Sequence, residues 1–205
     1  IHLSIIEGME VRTYLNSDDT PYDELLSLLH TIFINDSDET NDGGFGGIDL
    51  DGLKKILQDC YVVTVWSTDN RLVAAAALEF RKKLWYKYAI CLFSAVDSNC
   101  RRLGLGSLLM KSRIKFAQKK DIDMILSSTL VNNTASIAYH KKNAFHIYKK
   151  VRYKNQPCPS YVFILPLRRL KIFKNDFFCR LQESDGISTR SRETDTTIGQ
   201  NLGHF

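Results

Sequence analysis

The stretch NCRRLGLGSLLMKSRIKF, residues 99–116, decides the fold of this chain. Gly104 and Gly106 follow two arginines and stand directly before an apolar pattern with helical spacing. The apolar side chains recur mostly at i, i+3 and i+4, as on one face of a buried helix; they are Leu105, Leu108, Leu109, Ile114, Phe116 and Ala117. Glycine weakens a helix by about 1 kcal/mol relative to alanine. Two glycines at a helix start therefore predict a close approach to the backbone, which a side chain would block.

Three kinds of phosphate-binding loop place glycines at a helix start, where free N–H groups and the helix dipole attract anions. A dinucleotide-binding loop needs a third glycine at position 109, which is Leu109. A Walker A loop needs Lys-Ser/Thr after its last glycine, where this chain has Ser107 and Leu108. Neither fits. The third pattern, R/Q-x-x-G-x-G/A, matches RRLGLG at residues 101–106.

The rest of the chain predicts strands and helices arranged around this stretch. Residues 84–96 (LWYKYAICLFSAV) are almost continuously apolar, which predicts a strand buried on both faces at the centre of a sheet. Other strands are expected at residues 9–15 and in YVVTVW, LVAAAALEF, DMILSSTL, FHIYKKVRY and SYVFILPL. Other helices are expected in NSDDTPYDELLSLLHTIF, DLDGLKKILQD and NNTASIAYHKKN.

The chain resembles the GNAT superfamily of N-acetyltransferases over residues 9–168, in element order as well as in the loop motif. NNTASIAYHKKNAF is similar to the family signature Asn-x-x-Ala-Ile-x-x-Tyr-x-x-x-Gly-Phe. The residues in matching places are Asn133, Ser136, Ile137, His140, Ala144 and Phe145. Within that superfamily, the sequence of these motifs is most similar to the transcription-coactivator histone acetyltransferases. The resemblance implies an α/β domain at 9–168 with a mixed, mostly antiparallel central sheet flanked by helices, and acetyl-CoA as co-substrate without a metal.

The resemblance also implies which residues contact acetyl-CoA. Pantetheine would pair with the end of the central strand, and the pyrophosphate would lie against the backbone of residues 102–107, with the arginine pair adding positive charge. The implied acetyl-CoA residues are Ser94, Ala95, Val96, Arg101, Arg102, Leu103, Gly104, Leu105, Gly106, Ser107 and Asn133. A backbone N–H of the central strand would serve as oxyanion donor, a role worth several kcal/mol in acyl transfer.

The catalytic residues depart from the family pattern in two places. His140 stands where family members commonly carry the tyrosine that protonates the leaving thiolate, whereas the coactivator pattern places that tyrosine one residue earlier, at Tyr139. An imidazole with a pKa near 6.5 is able to donate a proton, so both registers stay open. The glutamate base of the coactivator type corresponds to Ile90, which is unable to accept a proton. Glu79, on the neighbouring strand, is the substitute that we expect from the sequence.

Charge is distributed unevenly along the chain. Residues 16–51 contain ten acidic residues and no lysine or arginine, and the remainder carries 13 acidic and 28 basic residues. Because the resemblance places 16–51 beside the acceptor, we expect a cationic amine as acceptor, such as a lysine in a basic protein segment. The run GGFGG at 43–47 is either a lid with Phe45 at its tip or a flexible loop.

Composition limits the remaining choices. Five cysteines without CxxC spacing argue against a zinc site and favour a reducing compartment, so we expect an intracellular protein, cytoplasmic or nuclear. No apolar run approaches the length of a membrane span, and large apolar residues become rare in a tail expected at 170–205.

Two other functions compete with an N-acetyltransferase. The first is a non-catalytic acyl-CoA-binding or interaction module, which Ile90 and His140 keep open. The second is a nucleic-acid-associated module that uses the basic residues Lys141, Lys142, Lys149, Lys150, Arg152 and Lys154, with Tyr148 and Tyr153 interleaved.

Overall fold

The computed structural model describes residues 8–15, 19–35, 45, 47–83, 86–153 and 158–168. The strands of this part are β1 (Glu10–Leu15), β2 (Cys60–Trp66), β3 (Leu72–Lys83), β4 (Tyr86–Val96), β5 (Met124–Leu130), β6 (His146–Val151) and β7 (Ser160–Pro166). The helices are α1 (Tyr22–Asn35), α2 (Leu50–Leu57), α3 (Leu105–Lys119) and α4 (Thr134–Lys142), with a short 3₁₀ helix at Ser98–Cys100. The predicted tail at 170–205 lies outside the described residues, so the domain boundary near 168 stays a prediction.

The described strands form one sheet in the order β1-β2-β3-β4-β5-β7-β6. Every neighbouring pair is antiparallel except β4 and β5, which run parallel because α3 crosses over between them. β4 occupies the middle of the sheet, as its nearly continuous apolar sequence predicts. The predicted fold class, a mixed and mostly antiparallel sheet flanked by helices, is confirmed.

Helices cover both faces of the sheet. α1 and α2 pack over one face, on inward side chains of β2, β3 and β4 that include Val62, Ala77 and Phe93. α3 packs over the opposite face, where Leu105, Leu109 and other apolar side chains of the helix meet the alternate residues of the same strands. The four alanines at 74–77 of β3 are fully buried. Their small side chains allow both helical layers to approach the centre of the sheet closely.

The connection between α1 and α2 is fastened to the sheet by an aromatic side chain. Phe45 is 1% exposed and lies 5.2 Å from Phe93 of β4 and 5.9 Å from Phe33 of α1, between ring centroids. Next to it, His30 Nε2 donates to the carbonyl oxygen of Ile48 at 2.8 Å, which ties α1 to the start of α2. Phe45 therefore anchors this connection, which contradicts the alternative of a lid with Phe45 at its tip, while Gly43, Gly44 and Gly46 of the alternative flexible loop lie outside the described residues.

Candidate functional site

The sheet opens into a cleft between β4 and β5. The two strands pair only from Tyr88–Met124 to Ile90–Leu126. Beyond that point β5 continues to pair with β7 as far as Leu130, while β4 continues to pair with β3 as far as Val96. Within the described part of the chain, the β5-facing edge of residues 91–96 therefore has no strand partner. Such an edge offers backbone N–H and C=O groups to a ligand.

A β-bulge lies at the inner end of this edge. Ala76 of β3 pairs with Ser94 and Leu78 pairs with Cys91, so one residue of β3 opposes two residues of β4. The extra residue bends the strand and changes which side chains face each layer. Ser94 is exposed and shares the α3 face with its partner Ala76, whereas Ala95 is fully buried under α1 and α2. Val96 is half-buried on the α3 side.

The glycine loop lies at the outer end of the same edge. Gly104 has φ +83°, a conformation that disfavours side chains, and a Cβ added there would meet no heavy atom within 4 Å. Arg101, Arg102 and Leu103 are exposed. α3 begins at Leu105, so the first N–H groups of the helix have no intrahelical partner. The loop thus combines an open approach with the positive end of a helix.

The later part of the loop is partly closed by α4. A Cβ added at Gly106 would lie 3.4 Å from the ring of Tyr139, whose hydroxyl donates to the Gly106 carbonyl oxygen at 2.8 Å. Leu105 is 1% exposed, which leaves only its backbone for a ligand, while Ser107 is half-buried. A side chain at position 106 would therefore contact the Tyr139 ring at an ordinary van der Waals distance, whereas one at position 104 would face open space.

A buried arginine joins the bulge to α4. Arg113 of α3 is 1% exposed, and its guanidinium donates to the Phe93 carbonyl oxygen at 3.2 Å and to Ser94 Oγ at 2.7 Å. A longer contact of 3.4 Å reaches the hydroxyl of Tyr139. Its Nε–H is buried without a hydrogen-bond partner. Ser94, Arg113 and Tyr139 therefore form one polar cluster at the inner end of the cleft.

The two candidates for the proton donor face different surroundings. Tyr139 lies in this cluster, and burial raises the pKa of its hydroxyl. His140 is 5% exposed and stacks on Phe163 of β7 at a centroid distance of 4.6 Å. Its Nδ1–H donates to the Ser136 carbonyl oxygen at 2.7 Å, so Nε2 accepts from Ser127 Oγ, also at 2.7 Å. Burial lowers the pKa of His140 to about 4, which keeps the ring neutral.

Glu79, the proposed base, lies across the strand pair from Ile90, the residue that occupies the place of the coactivator-type glutamate. Glu79 of β3 pairs with Ile90 of β4, which is 1% exposed. Glu79 lies on the α1–α2 face of the sheet, because it alternates with Ala75 and Ala77, which face that layer. Its carboxylate accepts from Arg81 Nε at 2.7 Å and from a second guanidinium nitrogen at 3.2 Å.

Asn133 lies at the start of α4 and caps it. Its side-chain oxygen accepts from the backbone N–H of Ser136 at 2.9 Å, which is the usual contribution of asparagine at an N-cap. Capping of α4 is sufficient reason for an asparagine at this place in the motif. A role of Asn133 in acetyl-CoA binding stays a prediction.

Neither a metal-ligand group nor a membrane-spanning helix is found among the described residues. Among them, no group of three or more His, Cys, Asp and Glu side chains is placed to hold a metal ion. None of their helices is long and apolar enough to cross a bilayer. The predicted basic run lies on the end of α4 and on the edge strand β6, apart from the Lys154 position, which is not described.

Arg113 is the site residue that the sequence analysis missed. A signal for it was present, because Arg113 stands four residues after Leu109 and four before Ala117, on the apolar face of α3. Both of these neighbours are fully buried.

Comparisons with known proteins agree on the fold. A family model described as the acetyltransferase (GNAT) family matches residues 25–145. An N-acetyltransferase from Staphylococcus aureus Mu50 is 19% identical with a TM-score of 0.62, covering 78% of this chain and 97% of that one. An acetyltransferase from Salmonella typhimurium, solved with its cofactor acetyl-CoA, is 15% identical with a TM-score of 0.60, covering 79% and 95%. The ribosomal-protein-S18-alanine N-acetyltransferase from Escherichia coli is 13% identical with a TM-score of 0.60, covering 80% and 99%. No curated protein sequence matches this chain.

Proposed function

This chain belongs to the GNAT family of acetyltransferases, and on that premise we propose that it transfers an acetyl group from acetyl-CoA to the amine of a cationic acceptor. The observation that carries the proposal is the placement of Gly104. It leaves an open approach at the start of α3, at the outer end of a β4 edge that has no strand partner on the β5 side among the described residues. This arrangement suits a long ligand with phosphates at one end and amides along its length.

The residues of the cleft fit acetyl-CoA. The backbone N–H groups at the start of α3 and the exposed Arg101 and Arg102 would hold the pyrophosphate. The free edge of β4 from Val96 to Ser94 would pair with the pantetheine amides. Acetyl-CoA supplies the acetyl group as a thioester, which an amine is able to attack. A backbone N–H at the bulge would then polarise the carbonyl oxygen, since the bulge frees it from regular pairing with β3.

We assign the proton steps as follows. Tyr139 is a better candidate than His140 for contact with the leaving sulfur, because Tyr139 belongs to the cluster at the inner end of the cleft. His140 holds α4 against β5 through Ser127. Glu79 is retained as the base, on the α1–α2 face where the family places the acceptor.

The proposed acceptor is a lysine side chain or another cationic amine, in line with the sequence resemblance to the coactivator type. The acids Asp23, Glu24 and Asp51 are exposed on the first turns of α1 and α2 and support this choice. The Escherichia coli relative is named for an alanine of a ribosomal protein, which also favours a protein amine.

The second candidate function is an acyl-CoA-binding module without catalysis. The fully buried Ile90 and the engagement of Glu79 by Arg81 favour it, because no unengaged carboxylate lies at this point of the two strands. Either function would suit a reducing, intracellular compartment, and all four described cysteines are free thiols.

The test of the binding site uses Gly104→Asp with Gly104→Asn as its matched control. Asn and Asp enter the left-handed region at lower cost than other residues, and Asp is favourable at a helix start, so both variants should fold. The Asp carboxylate would repel the pyrophosphate and weaken acetyl-CoA binding at least tenfold, as measured by calorimetry, with a smaller loss for Asn. Equal affinity in the wild-type protein and Gly104→Asp would refute acetyl-CoA binding at this loop.

A further inference from the structure

Arg113 is a buried cation without a counter-ion among the residues that the structure describes. The side chain is 1% exposed, and its observed partners are a carbonyl oxygen, two hydroxyls and the Met110 sulfur. None of the ion pairs recorded for the described residues includes Arg113. A guanidinium carries five N–H donors and keeps its charge at physiological pH, and here the Nε–H is left without a partner.

This surrounding is unfavourable unless an anion completes it. Removing an ion from water costs several kcal/mol, and neutral acceptors offset only part of that. The positive charge is therefore explained by a ligand that brings a negative one.

The position of the guanidinium identifies the part of the ligand that it faces. Gly104 lies about 13 Å from Arg113 along α3, since the helix rises about 1.5 Å per residue. Phe93 and Ser94, its partners, form the inner end of the open β4 edge. A ligand with its pyrophosphate at Gly104 and its pantetheine along Val96 and Ala95 would bring its sulfur to this end. This step rests on the proposed function.

We propose that Arg113, acting through the hydroxyl of Ser94, binds the thiolate of coenzyme A that remains after acetyl transfer. In that transfer the amine nitrogen forms the C–N bond, the C–S bond breaks with its electron pair on sulfur, and the nitrogen loses one proton to the base or to water. Arg113 donates to Ser94 Oγ, so the Ser94 hydroxyl keeps its own proton, which interacts with the Tyr139 hydroxyl in this structure and would turn to the thiolate once that is bound. The Tyr139 hydroxyl donates to the Gly106 carbonyl oxygen in this structure, and it would have to leave that acceptor before it donated to the sulfur.

The titratable groups that face Arg113 do not interfere between pH 7 and 9. They are Cys91 of β4 and Tyr139 and His140 of α4, the side chains whose ionisation the guanidinium influences. Burial raises the pKa of Cys91 above its ordinary value of 9.0 and that of Tyr139 above 10.0. The pKa of His140 is lowered to about 4. A change in ligand affinity over this range would thus report the ligand's thiol.

The experiment compares coenzyme A with acetyl-CoA by calorimetry at pH 7 and pH 9. Both ligands have the same phosphates, so the ratio of their affinities isolates the sulfur. For a thiol with an ordinary pKa near 8.5, the thiolate fraction is about 3% at pH 7 and about 76% at pH 9, so exclusive binding of the thiolate raises the ratio about 25-fold between the two pH values. Ultraviolet absorbance of bound thiolate at pH 7 provides a second readout that needs no turnover.

Arg113→Met should abolish both signals while keeping acetyl-CoA affinity, because methionine fills a similar space without charge. Replacing a buried ion by an apolar residue often leaves stability unchanged or raises it. Lys111→Met removes one charge from the exposed side of the same helix and should preserve both signals. Ser94→Ala, an exposed substitution, should reduce them and covers the case in which Arg113→Met does not fold.

The role of Arg113 would be overturned, with the proposed function left intact, by either of two results. One is that the affinity ratio rises with pH in Arg113→Met as much as in the wild-type protein. The other is that the wild-type protein binds acetyl-CoA but its ratio does not change with pH. If neither ligand binds the wild-type protein, the proposed function fails and this inference fails with it.

Discussion

His140 lies between the Ser136 carbonyl oxygen and the Ser127 hydroxyl, and its ring stacks on Phe163. These surroundings stabilise only the neutral form of the ring. Protonating His140 would turn the acceptor Nε2 into a second donor and place a charge in an apolar layer. Its pKa is lowered from 6.5 to about 4 for this reason. At the residue scale, His140 therefore links the stability of the fold to pH.

The sign of this link follows from proton binding. Between pH 6.5 and 4 the unfolded chain binds a proton at His140 and the folded chain does not, so stability falls as the pH falls. From pH 7 to pH 5 the loss from this residue is about 2 kcal/mol, measured as a change in the free energy of unfolding in urea. His140→Gln should show a smaller loss over this range, whereas His146→Gln at an exposed position should behave like the wild-type protein. Equal pH dependence in His140→Gln would contradict the assignment.

At the scale of elements, Phe45 determines how the connection between α1 and α2 meets the sheet. Its ring packs between Phe33 and Phe93, and Phe93 belongs to the bulged part of β4. The segment on the acceptor side is thereby tied to the strand that borders the cleft. A change at Phe45 is expected to affect both stability and acceptor binding.

Phe45→Ala should lower the free energy of unfolding by about 3 kcal/mol, because it removes a fully buried ring and leaves a cavity. The Michaelis constant for a lysine peptide should rise, while acetyl-CoA affinity stays within twofold. Ile147→Thr, an exposed change on β6, serves as the stability control with an effect of at most about 0.5 kcal/mol. A loss below about 1 kcal/mol in Phe45→Ala would show that the ring does not anchor this connection.

Most elements were predictable because their patterns are local. The alternation in β1, the apolar run of β4 and the spacing of Leu105 and Leu109 in α3 each require only neighbouring residues. The bulge at residues 92–93 and the separation of β4 from β5 were not predicted, because both depend on how distant strands pair. The glycine loop was located correctly, whereas the packing of Tyr139 on Gly106 depends on the placement of α4.

The polar cluster shows the same limit at the site. The motifs predict Ser94 and Tyr139 as separate site residues. Their proximity could not be predicted, because a contact between β4 and α4 depends on how the whole chain packs. The charge count includes Arg113 only as one of the basic residues outside 16–51, although its spacing from Leu109 places it on the buried face of α3. The rotation of α4 decides which of the adjacent Tyr139 and His140 contacts the start of α3, and the structure places the Tyr139 hydroxyl on the Gly106 carbonyl oxygen there.

At the scale of the whole molecule, charge separates the two sides of the proposed reaction. The described acids Asp23, Glu24 and Asp51 lie on α1 and α2, while the loop with Arg101 and Arg102 precedes the start of α3. Five acids of residues 16–51, namely Asp18, Asp36, Asp38, Glu39 and Asp42, lie outside the described residues. The described acids on exposed helix starts are sufficient to test the electrostatic argument.

The triple variant Asp23→Asn, Glu24→Gln, Asp51→Asn should raise the Michaelis constant for a cationic acceptor several-fold at low salt. The effect should shrink near physiological salt, because surface fields are screened over about 8–10 Å. Steady-state kinetics with a lysine peptide and a neutral amine provide the measurement. Glu10→Gln, Asp69→Asn, Asp121→Asn removes as much charge elsewhere and should change neither constant. Identical results for the two triple variants would leave the acceptor class to the shape of the cleft.

The strand order has a consequence for how the chain folds. β2, β3 and β4 follow one another in sequence and in space, so they can assemble from short hairpins with little loop closure. β5 pairs with β4 only after the α3 crossover, and β6 has no place in the sheet until β7, which comes later in the chain, has joined β5. Such distant pairings form slowly. We therefore expect the pairing of β4 with β5, which borders the cleft, to form later than the hairpins of β2, β3 and β4.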